Sequence, residues 1–299
     1  MLRWFLFVLV IMVFACPAAG QGRKLYVDHF HQILGKPTAE KELLAFVEEK
    51  EIEELILYDL HRIHAQSPLH QRQSNVDLAR FIAKAKTEHR VKSISASGES
   101  GHFFQSVIHP YNVSRQKPEE QFDVYNIEFE YWNPRQTQEG GYYCENYLSK
   151  EGLPCTRANA FAHYIASLNT MRELRDAEAQ EVKIEAYLGQ FSREEAEAIS
   201  EHIDRLLIHD YVHSPEYSYL YVKDRLNYLD AIHSHIEISI LFSEENQFMG
   251  PWLRTHDFHQ AEEAFFQALE QNNIELEKHL NFQGFTYFNY SFFRDNDPN

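Results

Sequence analysis

Positive charge is scarce in this chain. Lysine and arginine total 28 against 45 aspartates and glutamates, a formal net charge of −17. Such a deficit excludes recognition of nucleic acid or an anionic membrane through a basic face, and it favours a neutral substrate over an anionic one. Cysteine is scarce too, with 3 in 299 residues, and neither Cys144 nor Cys155 has a Cys or His at zinc-ligand spacing beside it. Internal repeats, low-complexity tracts and Pro/Gly/Ser linkers are missing, which leaves one domain. No G-x-G-x-x-G turn follows the first β-type run, where Gln32-Ile33-Leu34-Gly35 stands instead, and no Gly-x-Ser-x-Gly elbow occurs anywhere. A dinucleotide-binding sheet and a serine-hydrolase sheet are thereby disfavoured. Beyond the first twenty residues no run is apolar enough to cross a bilayer.

What is present begins with a leader. Arg3 precedes the apolar stretch Trp4 to Phe14, and Ala18 and Gly20 place small residues before a cut at Gln21. This predicts a secretory signal over residues 1–20 and an exported protein: periplasmic, extracellular or cell-surface. Val13-Phe14-Ala15-Cys16 offers a rival lipoprotein box with Cys16 as lipid anchor; Phe14 fits that box badly, and simple cleavage is preferred. Export leaves Cys144 and Cys155 as an even pair in an oxidising compartment, so a disulfide between them is expected.

Residues 21–299 alternate β-type runs with amphipathic helical stretches. The runs are Lys24–Phe30, Glu54–Leu60, Val91–Ser97, Phe122–Tyr131, Val182–Leu188, Arg205–Tyr211, Glu237–Phe242 and Gly284–Tyr290. Helical patterns lie between them, two opening on cap signals: Ser74 with Asp77 and Ser192 with Glu195. Eight strands separated by helices, in a chain longer than the ~250 residues such folds typically need, predict a single-domain (β/α)8 barrel with its site at the C-terminal strand ends. Residues 132–156 form a long loop after the fourth strand; a disulfide there is expected to stiffen one wall of a cleft.

The fourth run carries the sharpest signal. In Phe122-Asp123-Val124-Tyr125-Asn126-Ile127-Glu128-Phe129-Glu130-Tyr131-Trp132, alternation puts Asn126, Glu128 and Glu130 on one face and Tyr125, Ile127 and Phe129 on the other. If the apolar face packs on helices, the polar face lines the barrel. Two carboxylates held that close push one pKa upward, which suits a general acid. A solvated edge strand is the structural alternative.

The spacing Asp123-x-x-Asn126-x-Glu128-x-Glu130 resembles the DxxDxDxE signature of family 18 glycoside hydrolases, the chitinases and endo-N-acetylglucosaminidases. Ser93 to Gly98 is similar to that family's third strand, Leu207-Ile208-His209-Asp210-Tyr211 to its sixth, and Gly284 to Phe288 to its eighth. The resemblance implies Glu130 as general acid, Glu128 as the group that orients an N-acetyl substituent for attack on the anomeric carbon, and Asn126 beneath it. It implies no cofactor and no metal. The chain departs from the pattern at Glu128 and Asn126, where the family has Asp, at His209, where it has Tyr, and at Phe288, where it has Trp.

Three other readings compete. A retaining glycosidase would pair Glu130 with Glu244 or Glu245 at the end of the seventh strand. His29-Phe30-His31, with His209, resembles part of the ligand set of metal-dependent amidohydrolase barrels; the remaining ligands are absent. A barrel that binds a glycan without cleaving it is the third. Aromatic residues, 14% of the chain, gather near predicted strand ends at Tyr58, Tyr131, Trp132, Tyr187, Tyr211, Tyr287 and Tyr290, and rings of this kind suit the apolar faces of sugars. The expected site therefore comprises Glu130 and Glu128 as catalytic groups. Asn126, Trp132, Tyr187, His209, Asp210, Tyr211, Glu244 and Tyr287 would contact an oligosaccharide or polysaccharide.

Overall fold

The computed structural model describes residues 22–177 and 181–297; the expected signal segment and Cys16 lie outside them. Eight strands, β1 (Gly22–Val27), β2 (Glu54–Leu57), β3 (Ser93–Gly98), β4 (Val124–Ile127), β5 (Lys183–Leu188), β6 (Arg205–Asp210), β7 (Glu237–Ser243) and β8 (Asn281–Phe288), pair in parallel in chain order, and β8 returns to β1. The sheet is closed, so the molecule is a (β/α)8 barrel. Among the described residues no helix is long and apolar enough to cross a membrane.

Each strand feeds a helix that covers its outer face. The longest are Pro37–Glu49, Val76–Glu88, Arg157–Ala177, Ser218–Ala231 and Phe258–His279. Ser192 and Glu195 make the expected capping box ahead of Arg193–Ser200. Ser74 does not cap: Asn75 takes that position, with no side-chain cap hydrogen bond. Between strands and helices lies the main core, with Leu25, Leu55, Ile94, Tyr125, Ile127 and Ile184 all fully buried. Burial of such side chains stabilises by roughly 1.5–3 kcal/mol each.

The barrel interior is polar instead. At its lower end Lys24 Nζ of β1 lies 3.0 Å from Glu185 of β5, and Arg205 of β6 lies 3.2 Å from the same carboxylate and also pairs with Glu54 of β2. Above them Asn126 of β4 donates to Glu185 at 3.0 Å and accepts from the Tyr26 hydroxyl of β1 at 3.1 Å. Contacts between strands on opposite sides of the ring can form only through its middle. Buried charges persist when they are paired and hydrogen-bonded in this way. Asp123 is structural as well: it accepts from the Ile94 N–H at 2.8 Å and pairs with Lys86, tying the start of β4 to β3.

Candidate active site

At the C-terminal end of the barrel a cleft of about 560 Å³ is lined by Glu128, Glu130, Trp132, Tyr187, His209 and Tyr211, with Asn133, Arg135, Gln190, Glu245, Phe248 and Phe288 completing its walls. A larger hollow of about 810 Å³ lies among Arg175, Lys183, Asp204 and Glu237 at the opposite rim, where strands begin. Barrel enzymes place chemistry at the strand C-termini, so the smaller cleft is the candidate site.

β4 proper stops at Ile127, but the Glu128 N–H still donates to Gly98 O at 2.9 Å and extends the ladder by one residue. Glu130 follows on the same side. Its carboxylate accepts from Asn133 Nδ2 at 2.7 Å and from the Tyr187 hydroxyl at 3.3 Å; Tyr187 Oη is also 3.5 Å from Tyr211 Oη. Glu128 is half-buried as a residue, yet its Oε2 is fully buried without a hydrogen-bond partner. Burial first, then the charges of Glu130 and Glu99, hold its carboxyl well above the usual range. Glu128 therefore resists ionisation more than a free carboxyl does.

His209 also faces the cleft, its Nε2 without a partner. Burial, reinforced by Arg225, lowers its pKa to about 3, so the ring is a neutral imidazole. Gly189, at the end of β5, lets the walls converge. A Cβ there would come within 2.5 Å of Trp132 Nε1 and 2.8 Å of His209 Nδ1.

Four residues expected to touch substrate do not line the cleft. Asn126 is fully buried beneath Glu128, spent on Tyr26 and Glu185. Asp210 follows His209 and so points to the opposite face, under the helix Ser218–Ala231 near Ser218 and Arg225. Glu244 is likewise fully buried, and its neighbour Glu245 reaches the cleft, held by Ser243 Oγ at 3.2 Å. Tyr287 points outward and donates to Glu262 on the helix Phe258–His279. Of the other strand-end aromatics, Tyr131 and Tyr290 are buried among Tyr164, Phe161 and Phe46.

The disulfide Cys144–Cys155 forms, but residues 140–156 do not line the cleft. Tyr143 and Tyr147 instead pack on Phe129, behind the two glutamates, with ring centroids 4.2 and 5.5 Å away. The histidines of the HxH motif do not join His209. His31 bonds Asp59 at 3.1 Å and His29 is exposed. Among the described residues no group of three or more His, Cys, Asp or Glu is placed to hold a metal ion. Asn133, Gln190, Phe248 and Glu99 went unrecognised in the sequence. Glu99, directly after β3, was open to detection from its strand-end position alone.

No protein-family model matches the chain, and no curated protein matches it in sequence. Among solved structures it is similar to the family 1 β-glucosidase of Thermotoga maritima, with 10% identity, a TM-score of 0.51, and coverage of 83% of this chain and 76% of that one. The (β/α)8 barrel is the fold the two share. It is also similar to β-glucuronidase 2 of Bacteroides uniformis, at 10% identity and a TM-score of 0.49; the match covers 90% of this chain but spans only 30% of that enzyme. A 2,3-dimethylmalate lyase of the PEP mutase/isocitrate lyase superfamily matches at 10% identity and a TM-score of 0.44, covering 89% of this chain and 74% of that one. At these identities the likeness concerns the fold alone. The β-glucosidase belongs to family 1, so the family 18 resemblance rests on sequence.

Proposed function

We propose that the protein is an exported glycoside hydrolase that cleaves a glycan with Glu130 as proton donor. The observation that carries this reading is the placement of Glu130 beside Glu128, whose carboxyl is held well above the usual range, at the end of β4, both lining an aromatic-walled cleft. Burial and the neighbouring carboxylates hold the Glu128 carboxyl well above the usual range, so Glu128 is the group that can hand Glu130 the proton it delivers. Glu130, fixed by Asn133 and Tyr187, is the member of this pair we assign to the leaving-group oxygen. Trp132, Tyr211 and Phe288 supply flat faces for sugar rings.

An N-acetyl substituent suits Glu128. Its carboxyl lines the cleft beside Glu130 and would hydrogen-bond the amide of such a group. In this reading the acetamide oxygen attacks the anomeric carbon while Glu130 protonates the leaving oxygen. Glu245, on another wall of the same cleft, supports a second reading in which its carboxylate is the nucleophile.

The test is turnover of chitooligosaccharides and aryl glycosides by the wild type and by Glu130→Gln. The variant is expected to fold normally and to lose activity about a thousandfold. Undiminished turnover would retire Glu130. Retention of a glycan by the wild type with no new reducing ends would leave a binding barrel. Cleavage restricted to N-acetylated glycosides supports Glu128, whereas equal cleavage without the N-acetyl group, abolished by Glu245→Gln, supports the second reading.

A further inference from the structure

The disulfide-closed segment has no place on the cleft wall, yet it is closely built onto β3 and β4. Tyr142 and Tyr147, either side of Cys144, both donate to Glu99 Oε2, at 3.0 and 2.6 Å. Tyr143 stacks on Phe129, the residue between the two site glutamates, and hydrogen-bonds the backbone of Glu130. Glu99 follows Gly98 on β3, and Gly98 O accepts from the Glu128 N–H at 2.9 Å. Glu99 and Glu128 are thus neighbours on adjacent parallel strands.

The geometry points to Glu99 as a positioning residue for this site: held by Tyr142 and Tyr147, on either side of Cys144, it stands beside Glu128 as a negative charge that bears on that acid. This rests on the reading of Glu128 and Glu130 given above.

The surroundings of Glu128 explain why one carboxylate carries such weight. Tyr26 of β1, Tyr58 of β2, Tyr187 of β5, Tyr211 of β6 and Tyr143 of the turn all lie within electrostatic reach of it. Phenols are uncharged at neutral pH. The charges that act on Glu128 are those of Glu130 and Glu99. Glu130 belongs to the cleft; Glu99 does not. A carboxylate held outside the cleft lining by two phenol hydroxyls, one of them inside the Cys144–Cys155 loop, is a negative charge with a defined place. It disfavours ionisation of its neighbour whether or not sugar is bound. Tyr142 and Tyr147 serve this end, since free rotation of Glu99 toward water would screen its effect.

The experiment reads the protonated carboxyl of Glu128 directly, by infrared titration of the full chain. Its band is assigned by its absence in Glu128→Gln. Glu99→Gln keeps the shape of the side chain and removes the charge; the band is expected to titrate about one pH unit lower than in the wild type. Tyr142→Phe with Tyr147→Phe keeps the charge and releases the clamp, and is expected to shift it part of the way. A Glu128 band that stays put in both would overturn the inference. No substrate is needed, so this outcome is separate from whether the protein cleaves a glycan. Once turnover is measured, the alkaline limb of kcat/KM is expected to move with the band while KM is unchanged. A fall in kcat with an unmoved limb would mark Glu99 as merely structural.

Discussion

Single atoms decide much at this cleft. Gly189 is a glycine because Trp132 and His209 occupy the space where a side chain would start. Gly189→Ala is expected to push the indole toward the cleft, raising KM, and to cost about 1–3 kcal/mol of stability through overpacking. Titration of KM and stability on one sample checks this. Asp210 offers a sign that can be worked out. Burial, only partly offset by Ser218 and Arg225, raises its carboxyl to about 7 from an ordinary 3.8. The folded chain then keeps a proton that the unfolded chain releases, so stability drops as pH climbs from about 4 to about 7 and is level above. Asp210→Asn is expected to remove that slope, gaining on the order of a few kcal/mol at pH 8 and nothing near pH 4, as read by urea unfolding. His209, neutral down to about 3, contributes no kinetic limb near the ordinary imidazole range.

At the scale of elements, alternation along β4 placed Asn126, Glu128 and Glu130 on one face, and the closed sheet turns that face inward. The regular strand is shorter than its sequence pattern, because past Ile127 the chain leaves the ladder to carry Glu130 to the rim. The same alternation turns Asp210 and Glu244, which were expected from resemblance and strand-end position, away from the cleft; each sits beside a residue that does face it. Loops have no such period. That Asn133 bonds Glu130, or that Tyr142, Tyr143 and Tyr147 pack behind the cleft, depends on how a non-repeating segment folds back. Cys144 and Cys155, 11 apart in sequence, close that segment. Replacing both by serine is expected to lower stability by about 3 kcal/mol through lost loop closure. It is also expected to reduce kcat more than it raises KM; calorimetry with steady-state kinetics on the pair variant checks both.

Over the whole molecule the barrel is held on two sides by different physics. Outside, apolar strand faces meet helices. Inside, Lys24, Glu185, Arg205 and Glu54 form an ionic floor below the site, reached from Asn126. Lys24→Met leaves Glu185 with one fewer cation in a dry interior and is expected to cost about 3–5 kcal/mol, measured by denaturant unfolding. Replacement of Arg80, whose guanidinium is half-exposed at its pair with Glu40, is expected to cost far less.

Sequence alone determined the count and order of strands, the disulfide partners and the inward face of β4, since all of these follow from local periodicity or from a unique pairing. Only the tertiary structure decided which strand-end residues share the cleft: Glu245 and not Glu244, His209 and not Asp210, and Glu99 behind them. That choice depends on where a closed ring brings separate strands together, and no local pattern encodes a distance across it.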